Sequence, residues 1–173
     1  MSHTAAEPEP LNIAVLTVSD TRTRDNDTSG DLLVERLETF GHQLTDRDLI
    51  KDDVYQMRAV VSAWIADPEI QVVLVTGGTG LTGRDSTPEA LGVLFDKTVD
   101  GFGELFRHLS LADIGTSTVQ SRALAGLANH TLIFCLPGST GACRLAWDGI
   151  LEEQLDASFK PCNFVPHVRN QNA

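Results

Sequence analysis

The chain has 173 residues, which fits one domain at the usual span of roughly 150 residues each. Its 42% hydrophobic content is enough for a core and excludes disorder over most of the length. Lys and Arg number 13 against 24 Asp and Glu, a net charge of −11, which argues against duplex nucleic acid or an anionic membrane as partner. A small anion stays open, because it reads only the local field.

Residues 1–10 read as a polar arm; Glu7-Pro8-Glu9-Pro10 stands where an export signal would need an apolar stretch. Leu11 to Val18 (LNIAVLTV) is a run of mostly branched apolar residues, the pattern of a strand buried on both faces. A polar loop, Ser19 to Thr28, follows it. A helix is predicted from Ser29, with Leu33, Leu37 and Phe40 on one face and Gly41 as its left-handed stop. Gln43 to Ile50 reads as a less apolar strand nearer an edge. Asp52 and Asp53 open a helix carrying Met57, Val60, Val61, Trp64 and Ile65 at helical spacing, and Asp67-Pro68 closes it.

Gln71 to Thr76 (QVVLVT) is a third strand that runs into Gly77-Gly78-Thr79-Gly80-Leu81-Thr82-Gly83-Arg84-Asp85. Ser86-Thr87-Pro88-Glu89 is a helix start, since proline at the first turn loses no hydrogen bond. Phe102 to Leu111 reads as helix, and 118–130 stays open between helix and strand. Thr131 to Leu136 (TLIFCL) is a buried strand ending in Pro137-Gly138-Ser139-Thr140-Gly141. The next helix turns Cys143, Ala146, Trp147, Ile150 and Leu151 inward. The 13-residue segment 161–173 reads as an extended tail, leaving residues 11–160 as the domain. Strands alternating with helices predict a mainly parallel sheet covered on both faces, with ligands outside the strand carboxyl ends.

The 77–85 loop carries the sharpest signal. Four glycines in seven residues open backbone paths closed to other residues and let a ligand approach the amides. A helix starting at Thr87 would aim its positive end at the same space, which makes a phosphate site. The alternative is a tight turn with no ligand. Two known motifs fail here. Gly78-x-Gly80-x-x-Gly83 has dinucleotide spacing, but five residues intervene before the helix. Gly78 to Gly83 has P-loop spacing, but Arg84-Asp85 stands where Lys and Ser or Thr are required.

Asp85 beside a phosphate cradle is repulsive unless a cation lies between, and magnesium held by one or two carboxylates plus phosphates is the usual solution. A salt bridge to Arg84 or a loop cap is the competing reading. Asp52 is open between a plain helix cap and a site carboxylate. The 137–141 loop could hold a second anion on Gly138, Ser139 and Thr140, or be only a turn. Ser19-Asp20-Thr21-Arg22 is open between binding loop and solvated connection. His108 and His130 read as structural, and no nucleophile–base set is visible. Three cysteines without metal or disulfide spacing, and no apolar run near 20 residues, fit a reduced cytoplasmic protein.

VSDTRTRDNDTSG (18–30), TGGTGLTGRDSTPEAL (76–91), GFGELFR (101–107), SRALAG (121–126) and LPGSTGA (136–142) together resemble the molybdenum cofactor biosynthesis protein B family. That family includes relatives of molybdopterin adenylyltransferase and the gephyrin G domain, and the resemblance spans about residues 11–167. It implies a three-layer α/β/α sandwich. It implies Mg²⁺-dependent adenylylation of molybdopterin by ATP with release of pyrophosphate. Asp85 matches the family's acidic residue after the glycine loop and would be catalytic and metal-binding. Asp52 matches the second acidic residue, with Asp53 left open because Lys51 replaces a proline. Gly77, Gly78, Thr79, Gly80, Gly83, Thr87, Gly138 and Ser139 would hold nucleotide, and Ser19, Asp20 and Ser121 would lie toward the pterin. A homotrimer or homohexamer is implied, with other cofactor-pathway enzymes as further partners. The competing implication is a paralogue that binds or delivers molybdopterin without transfer.

Overall fold

The structure is a computed structural model, and it describes residues 9–169. Most of the polar arm and the last four tail positions therefore lie outside the described residues.

The apolar runs form the sheet. Strands β1 (Asn12–Val18), β2 (Gln43–Ile50), β3 (Val72–Thr76), β4 (Lys97–Thr98), β5 (Leu124–Ala128) and β6 (Thr131–Leu136) lie in the order β2-β1-β3-β6-β5-β4. β2, β1, β3 and β6 are parallel, and β5 and β4 run antiparallel to them. The runs 13–18, 72–76 and 131–136 are buried at every position, because both faces are covered. Their period-two alternation splits the core. Ile13, Val15, Leu74 and Phe134 face one apolar cluster, and Ala14, Leu16, Val75 and Cys135 face the other. Helices α1 (Thr28–Phe40), α4 (Asp100–Ile114) and α5 (Thr140–Ala146) cover the first face, with buried Leu33, Leu37, Phe102, Phe106, Cys143 and Ala146. Helices α2 (Val54–Ala66) and α3 (Thr87–Leu91) cover the second, with Met57, Val61, Trp64, Ala90 and Leu91. The result is the expected three-layer α/β/α sandwich.

β2 is an edge strand, as its mixed pattern indicates. Its edge is blunted by charge: Arg47 pairs with the buried Asp27 (2.9 Å) and with Asp31 (2.7 Å). Four features depart from expectation or fill in what residue order left open. α1 begins one residue earlier than Ser29, because Asp27 accepts the Gly30 amide (3.0 Å) and caps it. The open stretch 118–130 becomes a 3-10 segment (Gly115–Gln120) and then β5. A two-residue turn, with Asn129 and His130 both at positive φ (49° and 62°), joins β5 to β6. α3 has only five residues before a 3-10 turn at Gly92–Leu94. The segment after Pro161 is not wholly extended; it folds back through a 3-10 turn at Val165–His167, and the Arg169 amide donates to His130 O (3.0 Å).

His42 follows Gly41 and is buried against Phe40 and Trp147. Its Nδ1 accepts the Leu11 amide (3.1 Å), so the neutral ring carries its proton on Nε2, which is buried without a partner. Burial pushes its pKa from 6.5 down to about 4. Between those values the unfolded chain binds a proton that the folded protein refuses. His42 therefore supports the fold fully above pH 6.5 and loses that support as pH falls toward 4. Urea unfolding at pH 7 and pH 5 should differ by roughly 1–2 kcal/mol from this group. The H42N variant, whose amide oxygen can still accept from Leu11, should lose that part of the difference. An unchanged pH dependence in H42N would show that His42 is not its source.

Candidate functional site

β1, β3 and β6 are adjacent and parallel, so their carboxyl ends open on one place. There the loops after Val18, Thr76 and Leu136 surround a cavity of about 700 Å³. Of the residues expected at the site, Ser19, Asp20, Asp52, Gly77, Gly78, Thr79, Gly80, Asp85, Ser121, Gly138 and Ser139 line it. Gly83 and Thr87 do not.

The glycine loop is pressed against its neighbours. Gly77 has φ 105°, and a Cβ there would lie 2.0 Å from Val18 O. Gly78 has φ 66°, and a Cβ there would lie 2.3 Å from Thr87 Oγ1 and 2.6 Å from Asp52 Oδ2. Both positions require glycine. Gly83 has neither feature; it sits at an open tip with nothing near, so the expected need for four glycines reduces to the inner part of the loop.

The loop's carbonyls are taken up inside the protein. Thr87 Oγ1 donates to Gly77 O (2.8 Å) and the Thr87 amide donates to Gly78 O (2.9 Å). Arg122 Nε donates to Thr79 O (3.2 Å) and Gly80 O (3.0 Å). The amides of Gly78, Thr79 and Gly80 have no partner among the described residues. Donors are thus left over at the cavity wall while acceptors are consumed, the polarity an anion requires. This corrects the expected role of Thr87. It is fully buried, both its donors are spent on the loop, and a five-residue helix offers only a short stack of peptide dipoles. Thr140 does not line the cavity; its Oγ1 lies at hydrogen-bond distance from Thr28 Oγ1 (2.9 Å) and Ser29 Oγ (3.3 Å). Ser139 Oγ accepts the Ala142 amide (3.1 Å), which caps α5 and leaves its hydroxyl proton free to donate.

Four carboxylates line the cavity: Asp20, Asp52, Asp85 and, from α4, Asp113. Asp52 and Asp53 differ in what they touch. Asp53 caps α2, accepting the amides of Tyr55 and Gln56 (both 2.9 Å). Asp52 is thereby free of capping; it is buried at the cavity wall, where Ser86 donates to both its oxygens. Asp85 does not pair with Arg84. Its Oδ2 accepts from Thr82 N (3.0 Å) and Thr82 Oγ1 (2.6 Å), and its Oδ1 has no partner among the described residues. Arg84 instead forks onto Asp20 (2.9 and 3.0 Å), which also accepts the Asp52 amide (3.1 Å). These hydrogen bonds, Arg84 first, hold the Asp20 carboxyl down to about 2. No three His, Cys, Asp or Glu among the described residues could cage a metal on their own. A magnesium ion held by one or two carboxylates and completed by phosphate oxygens fits this donor set.

Several lining residues carried no signal in the sequence. Phe106, Ser110, Asp113 and Ile114 of α4, with Ser117 and Gln120 after it, wall one side. Ser121, a weaker candidate, has a buried Oγ without a partner.

These features define an α/β protein with a strand-end cavity of backbone donors and carboxylates. A family model described as "Probable molybdopterin binding domain" matches residues 14–157. The Escherichia coli (strain K12) protein called molybdenum cofactor biosynthesis protein B is 56% identical over 169 residues, covering 98% of this chain and 99% of that one. A crystal structure of a molybdenum cofactor biosynthesis protein B is similar at TM-score 0.84 and 43% identity, covering 86% of this chain and 93% of that one. The tungsten cofactor synthesizing protein MoaB from Pyrococcus furiosus is similar at TM-score 0.76 and 35% identity, covering 85% and 94%. The chain belongs to the molybdenum cofactor biosynthesis protein B family.

Gly77→Ala should cost about 2 kcal/mol or more, by a left-handed backbone and a backbone clash together. Gly83→Ala, in open space, should stay within about 0.5 kcal/mol of the parent. Urea midpoints of the two variants check the contrast.

Proposed function

We propose that this chain acts in molybdenum cofactor biosynthesis, binding molybdopterin and adenylylating it with ATP. One observation carries this reading: Gly78, Thr79 and Gly80, whose amides have no partner among the described residues, line the same cavity as the carboxylates Asp52 and Asp85. The amides, with Gly138 and Ser139, hold the nucleotide phosphates. Asp85, through its free Oδ1, and Asp52 would hold Mg²⁺. Bound there, the ion offsets negative charge on the phosphates. Ser19, Asp20 and Ser121, which line the same cavity, would contact the pterin.

The terminal phosphate oxygen of molybdopterin attacks the α-phosphorus of ATP. A new P–O bond forms, the bond from that phosphorus to the bridging oxygen breaks, and pyrophosphate leaves. No base is needed, since a phosphate monoester is already ionised near neutral pH. The protein contributes alignment and charge neutralisation, with no covalent intermediate. Exposed Leu105, Leu111, Ile114 and Val119 on and after α4 form apolar surface that self-association would cover, as the homotrimer or homohexamer implied by the resemblance would do. A cytoplasmic location accords with free cysteines and with no described helix long and apolar enough to cross a membrane.

A second reading, binding or delivery without transfer, is favoured by one feature. Both Asp52 oxygens and one Asp85 oxygen already accept hydrogen bonds. Each carboxylate oxygen has a second lone pair, so the sites stay competent for a cation. Incubation with molybdopterin, ATP and Mg²⁺ separates the readings: adenylylated pterin and pyrophosphate should form. Asp85→Asn should keep pterin binding and lose turnover by roughly 100-fold or more. Tight pterin binding by the parent protein without product would select the delivery role.

A further inference from the structure

Arg122 belongs to no strand or helix, yet it makes more hydrogen bonds to the glycine loop than any side chain within that loop. Its Nε reaches Thr79 O (3.2 Å) and Gly80 O (3.0 Å). Its Nη2 reaches Gly80 O and Asp85 O (3.3 Å), and its Nη1 pairs with Glu89 of α3. Its side chain is three-quarters buried. The pairing is firm enough to hold the Glu89 carboxyl below its ordinary range.

The residue is itself held in place. Arg107 of α4 donates to Ser121 O (3.4 Å) and Ala123 O (3.2 Å), the carbonyls on either side of Arg122. Close packing adds to this, since a Cβ on Gly103 would lie 2.7 Å from Ala123 O. The guanidinium is thus presented to the loop from a backbone fixed by α4. A peptide group is planar, so fixing a carbonyl also fixes the amide of the following residue on the opposite side. Holding Thr79 O sets the Gly80 amide, and Thr87, by holding Gly77 O and Gly78 O, sets those of Gly78 and Thr79.

We propose that Arg122 is a positioning residue for the nucleotide, fixing the carbonyls of Thr79, Gly80 and Asp85 so that the loop presents its amides, and the Asp85 carboxylate, to the cavity. This rests on the adenylylation reading for the identity of the ligand, but not for the state of the loop. A planar fork of five donors is required, because three carbonyls and a carboxylate converge on one side chain. Lysine has the charge and lacks the fork.

The test uses the full chain and the variants R122K, R122Q and E89Q. Mg·ATP and molybdopterin binding are measured by calorimetry, and the loop amides by ¹⁵N NMR without ligand. R122K and R122Q should both weaken Mg·ATP binding by 10-fold or more, while molybdopterin affinity stays within about 2-fold. In both, the Gly80 amide should shift and exchange faster. E89Q, which keeps a hydrogen-bond acceptor, should weaken Mg·ATP binding by only a few-fold; because it leaves Arg122 in place, it reports even if R122Q unfolds. Full rescue by R122K, or equal loss of both ligands, overturns the proposal. If the parent protein binds no Mg·ATP, the adenylylation reading falls, and the Gly80 amide alone decides: an unmoved resonance in R122K overturns the role of Arg122.

Discussion

The candidate site depends on an asymmetry of hydrogen bonding in four peptide groups. From Gly77 to Gly80 every carbonyl is consumed inside the protein, by Thr87 on one side and Arg122 on the other. A buried or half-buried loop normally pairs its donors as well as its acceptors. Here three donors at the wall of a cavity are left over, and a loop in that state gains by meeting an anion. Left-handed conformations at Gly77 and Gly78 make the arrangement sterically possible. Any side chain at either position would strike Val18, Thr87 or Asp52.

Charge acts against this preference. Asp20, Asp52, Asp85 and Asp113 line the cavity, with Arg22 the one Lys or Arg among the described lining residues. Arg84 lies outside the lining set and spends its fork on Asp20. Free phosphate entering such a cavity meets amide donors and uncompensated carboxylates together. A divalent cation between them converts repulsion into attraction, and Asp85 Oδ1, which accepts no hydrogen bond among the described residues, is available for it. The overall charge of −11 repels large polyanions through its long-range field, whereas a small anion that arrives with a cation reads only the local field.

Much of this was legible in residue order, and what was not has local causes. The runs at 11–18, 71–76 and 131–136 announce buried parallel strands because branched and other apolar residues fill most of their positions without a polar alternation, and the loops that follow surround the cavity. Gly41 and Asp67-Pro68 stop their helices where chain stereochemistry says they should. β5 (LAGLA) stayed open because alanine and glycine carry little strand preference; its place is won by pairing with β6. Pro88 correctly marks a helix start but says nothing of length, and α3 ends after five residues. Adjacent aspartates at 52 and 53 cannot be assigned from order alone; only the accepted amides of Tyr55 and Gln56 separate cap from site. Arg122 was invisible because its partners are backbone carbonyls some 40 positions away, which leave no pattern in side-chain order.

A titration of ¹⁵N-labelled protein with Mg·ATP tests the central claim most directly. The amides of Gly78, Thr79 and Gly80 should move first and furthest, saturating with a single affinity that depends on Mg²⁺. Binding that leaves those three resonances in place, with shifts gathered elsewhere, would contradict it.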